Sequence, residues 1–370
     1  MSDTKSIETV AILGMGLMGG SFGMACLSKG LVERVVGFDS DPQATQSALK
    51  AGAITDCAFT LAWAVKEADL VVIATPVRAI PGVFAEAAPF LKAGCVVTDV
   101  GSTKAGIVQQ VQDASTAAVH FVGGHPVAGS ESHGIAAASP DLYDGCFWIL
   151  TPIKQTAAEA EAALEEFLGR LGAKVLRLDP AKHDEALALT SHLPQLLSST
   201  LMGFAADAAT SGEGLPLLAA GGFRDMTRIA ASSPEMWVDI VRENQPALLG
   251  LMKRFERTLA GVTEMLDRQD WEALGKSLHQ AREVRRALPL KAGMDISELE
   301  EILVAVPDRP GVLAEVSTGL RESGVNIEDL NIVHMPEGGR GVIHIAVSGS
   351  HNAEVAVRAL RDRGFSVDRP

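Results

Sequence analysis

The chain has 370 residues, 47% of them hydrophobic and 21% charged, with a formal net charge of −14. This is ordinary globular composition, long enough for two or three domains, and it excludes a disordered chain. The acidic balance argues against general binding to nucleic acid or an anionic membrane, both polyanions, and leaves room for a local basic pocket that takes a small anion. The four cysteines (Cys26, Cys57, Cys95, Cys146) include no CxxC pair. They fit neither a zinc pattern nor a dense disulfide framework, so reduced, buried thiols in a cytoplasmic protein are expected, with no metal. "MSDTKSIETVAILGMG" has no signal-type core, and no apolar run approaches the roughly 20 residues that span a bilayer.

From residue 9 to about 178, β-rich runs alternate with helical stretches. The runs are "TVAILGM", "RVVGFD", "LVVIATP", "CVVTDVGS", "HFVGGHP", "CFWILTP" and "KVLRLD". Val/Ile/Leu runs of this kind predict a mostly parallel sheet covered on both faces, a Rossmann-type α/β domain over 1–179. Gly14-x-Gly16-x-x-Gly19 follows the first run and opens a helix. Gly14 and Gly16 suit a tight turn against a pyrophosphate and Gly19 close helix–strand packing, while the helix N-terminus, with Met15, Leu17 and Met18, faces the phosphates. Asp39 ends the second run, 20 residues after Gly19. A carboxylate there accepts from both ribose hydroxyls and repels a 2′-phosphate, and no Arg or Lys follows it in "DSDPQ", so NAD is the expected cofactor. Thr75 and Pro76 close the third run on the same side.

"VVTDVGSTKAG" and "FVGGHPVAGSESHG" both leave the sheet through small polar loops. Loops at carboxyl strand ends border the cofactor crevice, so Ser102, Lys104, His125, Ser130 and Glu131 are predicted to converge near the nicotinamide. A histidine there can take a hydroxyl proton while hydride leaves the same carbon. Position alone equally allows a packed histidine bonded to backbone.

From about 181 to 290 the strand runs stop and apolar residues fall at helical spacing. This all-α domain is expected over 180–292, interrupted by the Gly- and Ser-rich "TSGEGLPLLAAGGFRDMTRIAASSPE". Within it, Arg224, Asp225 and Arg228 read either as an inward carboxylate grip or as a surface cluster. "SHLPQ" is unusual for its proline inside a helical run. Residues 300–370 read strand, helix, strand, strand, helix, strand, a ferredoxin-like α+β order, giving a third domain over 298–370.

Together, "GMGLMGGSF", "TDVGSTK", "GGHPVAGSESHG", "HDEALALTSHLP", "GGFRDMTRIA" and "MWVDIVRENQ" resemble, in family order, the prephenate/arogenate dehydrogenases of tyrosine biosynthesis. The similarity covers residues 8 to 290, and "VPDRPGVLAEVSTGLRESGVNIEDL" resembles an ACT domain. The resemblance implies that His125 is the catalytic base, bonding the substrate's ring hydroxyl, and that Ser102 contacts both that hydroxyl and the histidine. It implies that Arg228 grips the side-chain carboxylate, with Asp225 near it, Glu131 at the pocket mouth beside Ser130, and His192 orienting or structural. Where many prephenate-using members have a second histidine, this chain has Gln195, whose carbonyl can accept from an ammonium. That leans toward tolerance of arogenate beside prephenate. An ACT domain implies L-tyrosine as effector, near Gly311, Val312, Asn326 and Ile327, and the helical domain implies a homodimer. Two rivals remain: a 3-hydroxyacid-type dehydrogenase using Lys104, and a non-catalytic sensor of nucleotide and amino acid.

Overall fold

The computed structural model describes residues 7–114, 119–128, 132–208, 221–286, 299–334 and 340–369. It divides into two compact units, 1–264 and 265–370.

The first unit is built on a sheet whose strands run β1 (Thr9–Leu13), β2 (Arg34–Phe38), β3 (Asp56–Cys57), β4 (Leu70–Ile73), β5 (Val96–Asp99), β6 (His120–Val127), β7 (Phe147–Thr151) and β8 (Lys174–Arg177). Their spatial order is β3-β2-β1-β4-β5-β6-β7-β8. All pairings are parallel except β6 with β7. Seven of these strands are the apolar runs read from sequence. The two-residue β3 was not expected, because "DC" carries no apolar run.

Apolar side chains cover both faces, as buried parallel strands require. On one face Phe22 of helix α1 (Leu17–Ser28) meets Tyr143, Trp148 and Phe167 with ring centroids 6.0, 5.8 and 6.2 Å away. On the other, Phe84, Ile107 and Val111 pack together with Ile240. After β2 come helices α2 (Pro42–Lys50) and, past β3, α3 (Leu61–Val65). α4 (Ile80–Ala87) follows β4, α5 (Ala105–Ala114) follows β5, and α6 (Ala158–Leu171) follows β7.

Beyond β8 the described chain is helical up to the end of the unit. α7 (Pro180–Leu187) runs through a π-helical turn, Ala188–His192, into α8 (Leu193–Ala208). Pro194 has no N–H to return to the preceding turn, and the π-helical turn lies immediately before it in a helix that runs on unbroken. α9 (Gly221–Thr227) leads to a 3₁₀ turn, Arg228–Ala231, then α10 (Pro234–Glu243) and α11 (Gln245–Asp267).

In the second unit, α12 (Trp271–Arg286) precedes β9 (Leu299–Pro307), α13 (Val312–Glu322), β10 (Asp329–His334), β11 (Arg340–Ser348), α14 (Ser350–Arg361) and β12 (Ser366–Asp368). The antiparallel order β10-β11-β9-β12 is the expected ferredoxin-like one, with Ile302, Val304, Ile343, Ile345, Val316 and Leu360 fully buried. All four cysteines are free thiols, but only Cys26 and Cys95 are buried; Cys57 and Cys146 are half-buried, a correction to the expectation.

Tyr143, the sole tyrosine, is wholly buried and donates to the Met18 carbonyl at 2.7 Å. It ties the β6–β7 connection to the first turn of α1. Tyr143→Phe removes one buried hydrogen bond from an intact ring cluster, so urea titration should show a loss of about 1 kcal/mol with the fold retained.

Candidate active site

Two buried aspartates organise the carboxyl ends of β5 and β6. Asp99 Oδ1 accepts from Gly124 N at 3.0 Å, Oδ2 accepts from Gly101 N at 2.8 Å, and Lys104 Nζ donates to the same Oδ2. Neither side chain of the Asp99–Lys104 pair touches solvent. Burial pulls Lys104 below the usual ammonium range, against the opposing influence of Asp99 and Asp184. Gly124 must be glycine. A Cβ there would stand 2.6 Å from both the Asp99 carbonyl oxygen and Thr98 Oγ1. One carboxylate thus fixes the residues immediately before Ser102 and before His125, and this holds the loop after β5 against β6, where His125 is a strand residue and not the loop residue expected.

His125, 8% exposed, directs Nδ1 at His183 Nε2, 2.8 Å away. His183, at 0% exposure, directs Nδ1 at Asp184 Oδ1, also 2.8 Å away. Asp184 further accepts from Lys104 N (2.7 Å) and Ala105 N (2.9 Å), the N-terminus of α5. A carboxylate only accepts, so the His183 proton lies on Nδ1 and its Nε2 accepts from His125 Nδ1–H. The nitrogen of His125 left for a ligand is Nε2. Burial, with His183, Lys104 and His192 alongside, pushes the His125 imidazole well below its ordinary range.

Asn244, between α10 and α11, donates from Nδ2 to the Asp184 carbonyl at 2.8 Å and lies 3.1 Å from His192 Nδ1. His192 therefore carries its proton on Nε2, a buried nitrogen with no partner among the described residues. Burial first, then His183, lowers His192 to about 4, against Asp184. The Trp237 ring packs edge-on to it at 5.9 Å.

Gln195 is buried and donates from Nε2 to the Ile229 carbonyl at 2.9 Å, which fixes the turn that starts at Arg228. Arg228 and Asp225 are both exposed. Ser130 and Glu131 lie outside the described residues. His183, Asp184, Asn244 and Asp99 were not anticipated as site residues. Among the described residues no group of three His, Cys, Asp or Glu could hold a metal.

The glycine loop fits a dinucleotide. Gly14 has φ +107°, and a Cβ on it would come within 2.5 Å of the Ala74 oxygen. Gly16 caps α1 without a side-chain bond, faces open space, and leaves the first-turn N–H groups of Leu17, Met18 and Gly19 for an anion. Asp39 accepts from Met15 N at 2.7 Å and from Asp41 N at 2.9 Å, which holds its carboxylate beside the loop. Thr75 Oγ1 is buried without a partner among the described residues, and Pro76 caps the next turn. In the second unit, Gly311 caps α13 at φ +88°, Val312 is buried, Ile327 packs on the core, and Asn326 donates to Glu328 at 2.8 Å.

Family models match over most of the chain: the prephenate dehydrogenase nucleotide-binding domain over 22–177, its dimerization domain over 179–280, and an ACT domain over 301–365. The chain is 32% identical over 357 residues to a prephenate dehydrogenase of Bacillus subtilis, covering 96% of each. It belongs to the prephenate dehydrogenase family. A cyclohexadienyl dehydrogenase of Zymomonas mobilis is 33% identical over 75% of this chain and 95% of its own. The crystal structure of prephenate dehydrogenase from A. aeolicus, in complex with hydroxyphenyl propionate and NAD+, superposes with TM-score 0.72 at 30% identity, covering 76% of this chain and 99% of that one. The family makes this chain an NAD-dependent oxidoreductase.

The two neutral, buried imidazoles make the fold sensitive to acid. Unfolded histidine titrates near 6.5 and both folded groups lower, so their contribution is complete above pH 6.5 and is lost as pH falls, that of His192 by about pH 4. His192 alone accounts for roughly 3 kcal/mol over that window. Urea midpoints should drop steadily from pH 7 to 4.5, and a flat midpoint would contradict the assignment.

Proposed function

We propose that the chain oxidises prephenate to 4-hydroxyphenylpyruvate, with His125 Nε2 as the base. The observation that carries this is the buried Asp184–His183–His125 chain, which leaves an unprotonated Nε2 at the carboxyl end of the sheet. NAD, when bound, supplies the hydride acceptor for the substrate's C4. His125 takes the hydroxyl proton as the hydride leaves, and loss of the ring carboxylate as carbon dioxide yields the aromatic phenol. Ser102, on the loop anchored by Asp99, shares the hydroxyl, and the His192 Nε2–H donor is available to a polar group of the substrate. Arg228 supplies the charge for the side-chain carboxylate, with Asp225 near it; Ser130 and Glu131 complete the pocket mouth.

Arogenate is the second reading. It is favoured by Gln195, whose amide nitrogen is bound to the Ile229 carbonyl, so the carbonyl oxygen is the end with capacity for the substrate's ammonium. In either reading residues 1–179 hold NAD, 180–292 build the substrate wall and a homodimer contact, and 298–370 bind L-tyrosine near Gly311, Val312, Asn326 and Ile327. The dimer is supported by large apolar side chains left exposed on the helices, among them Met226, Val238, Leu249 and Leu259. Among the described residues no helix is long and apolar enough to cross a membrane; the cytoplasm is the compartment that fits the substrate and cofactor.

The test is NADH formation by the purified chain with prephenate or arogenate, with and without L-tyrosine. We expect turnover on at least one substrate, inhibition by L-tyrosine, and a rate that stays level down to pH values below the ordinary imidazole range, because protonation of His125 comes late. His125→Asn should lose at least about 10²-fold in kcat with NAD binding intact. Full turnover in that variant would refute the base, and NAD binding without turnover by the unaltered chain would favour a sensor.

A further inference from the structure

We propose that Asp184 is a positioning residue for His125: its carboxylate sets the tautomer of His183, and through it that of His125, while capping α5. This rests on the reading of His125 as base.

Asp184 is 5% exposed and its two oxygens receive three N–H groups. Two come from the backbone at the start of α5 and one from the His183 ring. The backbone donors cannot turn away, so the carboxylate is fixed in direction by the helix it caps. Its Oδ1 serves both Lys104 N and His183 Nδ1. The ring proton of His183 must face it, because a lone pair there would oppose a carboxylate lone pair. His183 Nε2 then becomes an acceptor, and His125 can approach it at 2.8 Å only with its own proton on Nδ1. The opposite tautomer of His125 would place its proton on Nε2 and could not accept one from a hydroxyl. The groups facing His125 from other elements are His183 on α7, Lys104 ahead of α5 and His192 in the π turn, all capable of positive charge. None of these offers an alternative acceptor for the Nδ1 proton, and His183 does so only while Asp184 holds its proton on the far side.

In the related logic of a serine-protease triad, replacing the orienting carboxylate by its amide leaves the geometry in place and lowers kcat about 10⁴-fold through the wrong tautomer. For Asp184→Asn in the full-length chain we expect a kcat loss on the order of 10²- to 10⁴-fold. KM for prephenate and affinity for NAD should move by less than about threefold. Tautomer choice releases no net proton, so the loss should persist on the neutral plateau of the pH profile. Nitrogen-15 spectra of histidine-labelled protein should show His125 protonated at Nδ1 in the parent chain and at Nε2 in the variant. His183→Phe keeps the α5 cap and breaks the relay, and carries the test should Asp184→Asn not fold. It should lose kcat to the same order, and the double variant should lose no more than the larger single loss. Near-parent kcat in both single variants, while His125→Asn is inactive, overturns the proposal and leaves the base in place. Loss of kcat and NAD affinity together, with the His125 tautomer unchanged, makes Asp184 merely a cap and also overturns it. Turnover by His125→Asn would instead remove the reading on which the proposal stands.

Discussion

The carboxylate of Asp184 is an acceptor with nowhere to release its charge to water, and the rest of the site is arranged around that fact. A buried carboxylate needs donors on every side. Asp184 finds them at the start of α5, which follows β5 of the nucleotide sheet, and in the ring of its own neighbour on α7. One helix of the α-helical stretch is thereby locked to one helix of the α/β domain by charge-assisted bonds, whose direction is more exacting than that of apolar packing. Asp99 repeats the device on the sheet side, gathering Gly101, Gly124 and Lys104. Exchanging buried ion pairs for apolar residues is often neutral for stability, whereas removing one partner is severe. The value of these two aspartates accordingly lies in placement: each segment that carries a proposed catalytic group is tied to one of them.

The same burial decides what kind of base His125 can be. Surrounded by His183, Lys104 and His192, it is a weak base. A weak base serves this chemistry. As hydride leaves the carbon, the attached hydroxyl becomes the proton of an oxygen doubly bonded to carbon, far more acidic than an alcohol, so little basicity is needed at that moment. The need is for an unprotonated nitrogen in the right direction at every operating pH, which a buried imidazole held neutral provides.

Most of the scaffold was legible because it is written in continuous patterns. Val/Ile runs marked seven strands of the large sheet, and the strand–helix alternation of residues 300–370 marked the antiparallel sheet and its two helices in the second unit. His125 stood out because neither composition nor periodicity asks for "GGHP"; β6 runs through it, Gly124 has room for no Cβ, and Pro126 pairs with β7, past Val122, the last β6 residue paired to β5. His183 and Asp184 did not stand out. In "PAKHDEALALTSHLP" they sit near a helix start, where a polar pair is ordinary. Nine residues of regular α-helix would also place His183 and His192 on opposite faces. The π turn at Ala188–His192 takes up part of that rotation, and Asn244 spans the remainder by reaching both the Asp184 carbonyl and His192. A π turn leaves no mark in apolar periodicity, so the cluster becomes visible only in three dimensions.

The distribution of charge carries the last step. The chain bears −14, and prephenate is a dicarboxylate, so attraction has to be local. His125 and His192 are neutral over the working range, Gln195 is uncharged, and the ammonium of Lys104 is committed to Asp99. Arg228 is the residue proposed to meet the carboxylate. Its turn is held by the Gln195–Ile229 bond, so the residue proposed to sense the substrate's amine or keto group also fixes the backbone beside the one that grips its carboxylate. On the proposed roles, substrate choice and substrate grip are mechanically joined. A histidine at position 195 would change both the charge near the substrate and the anchor of the arginine turn.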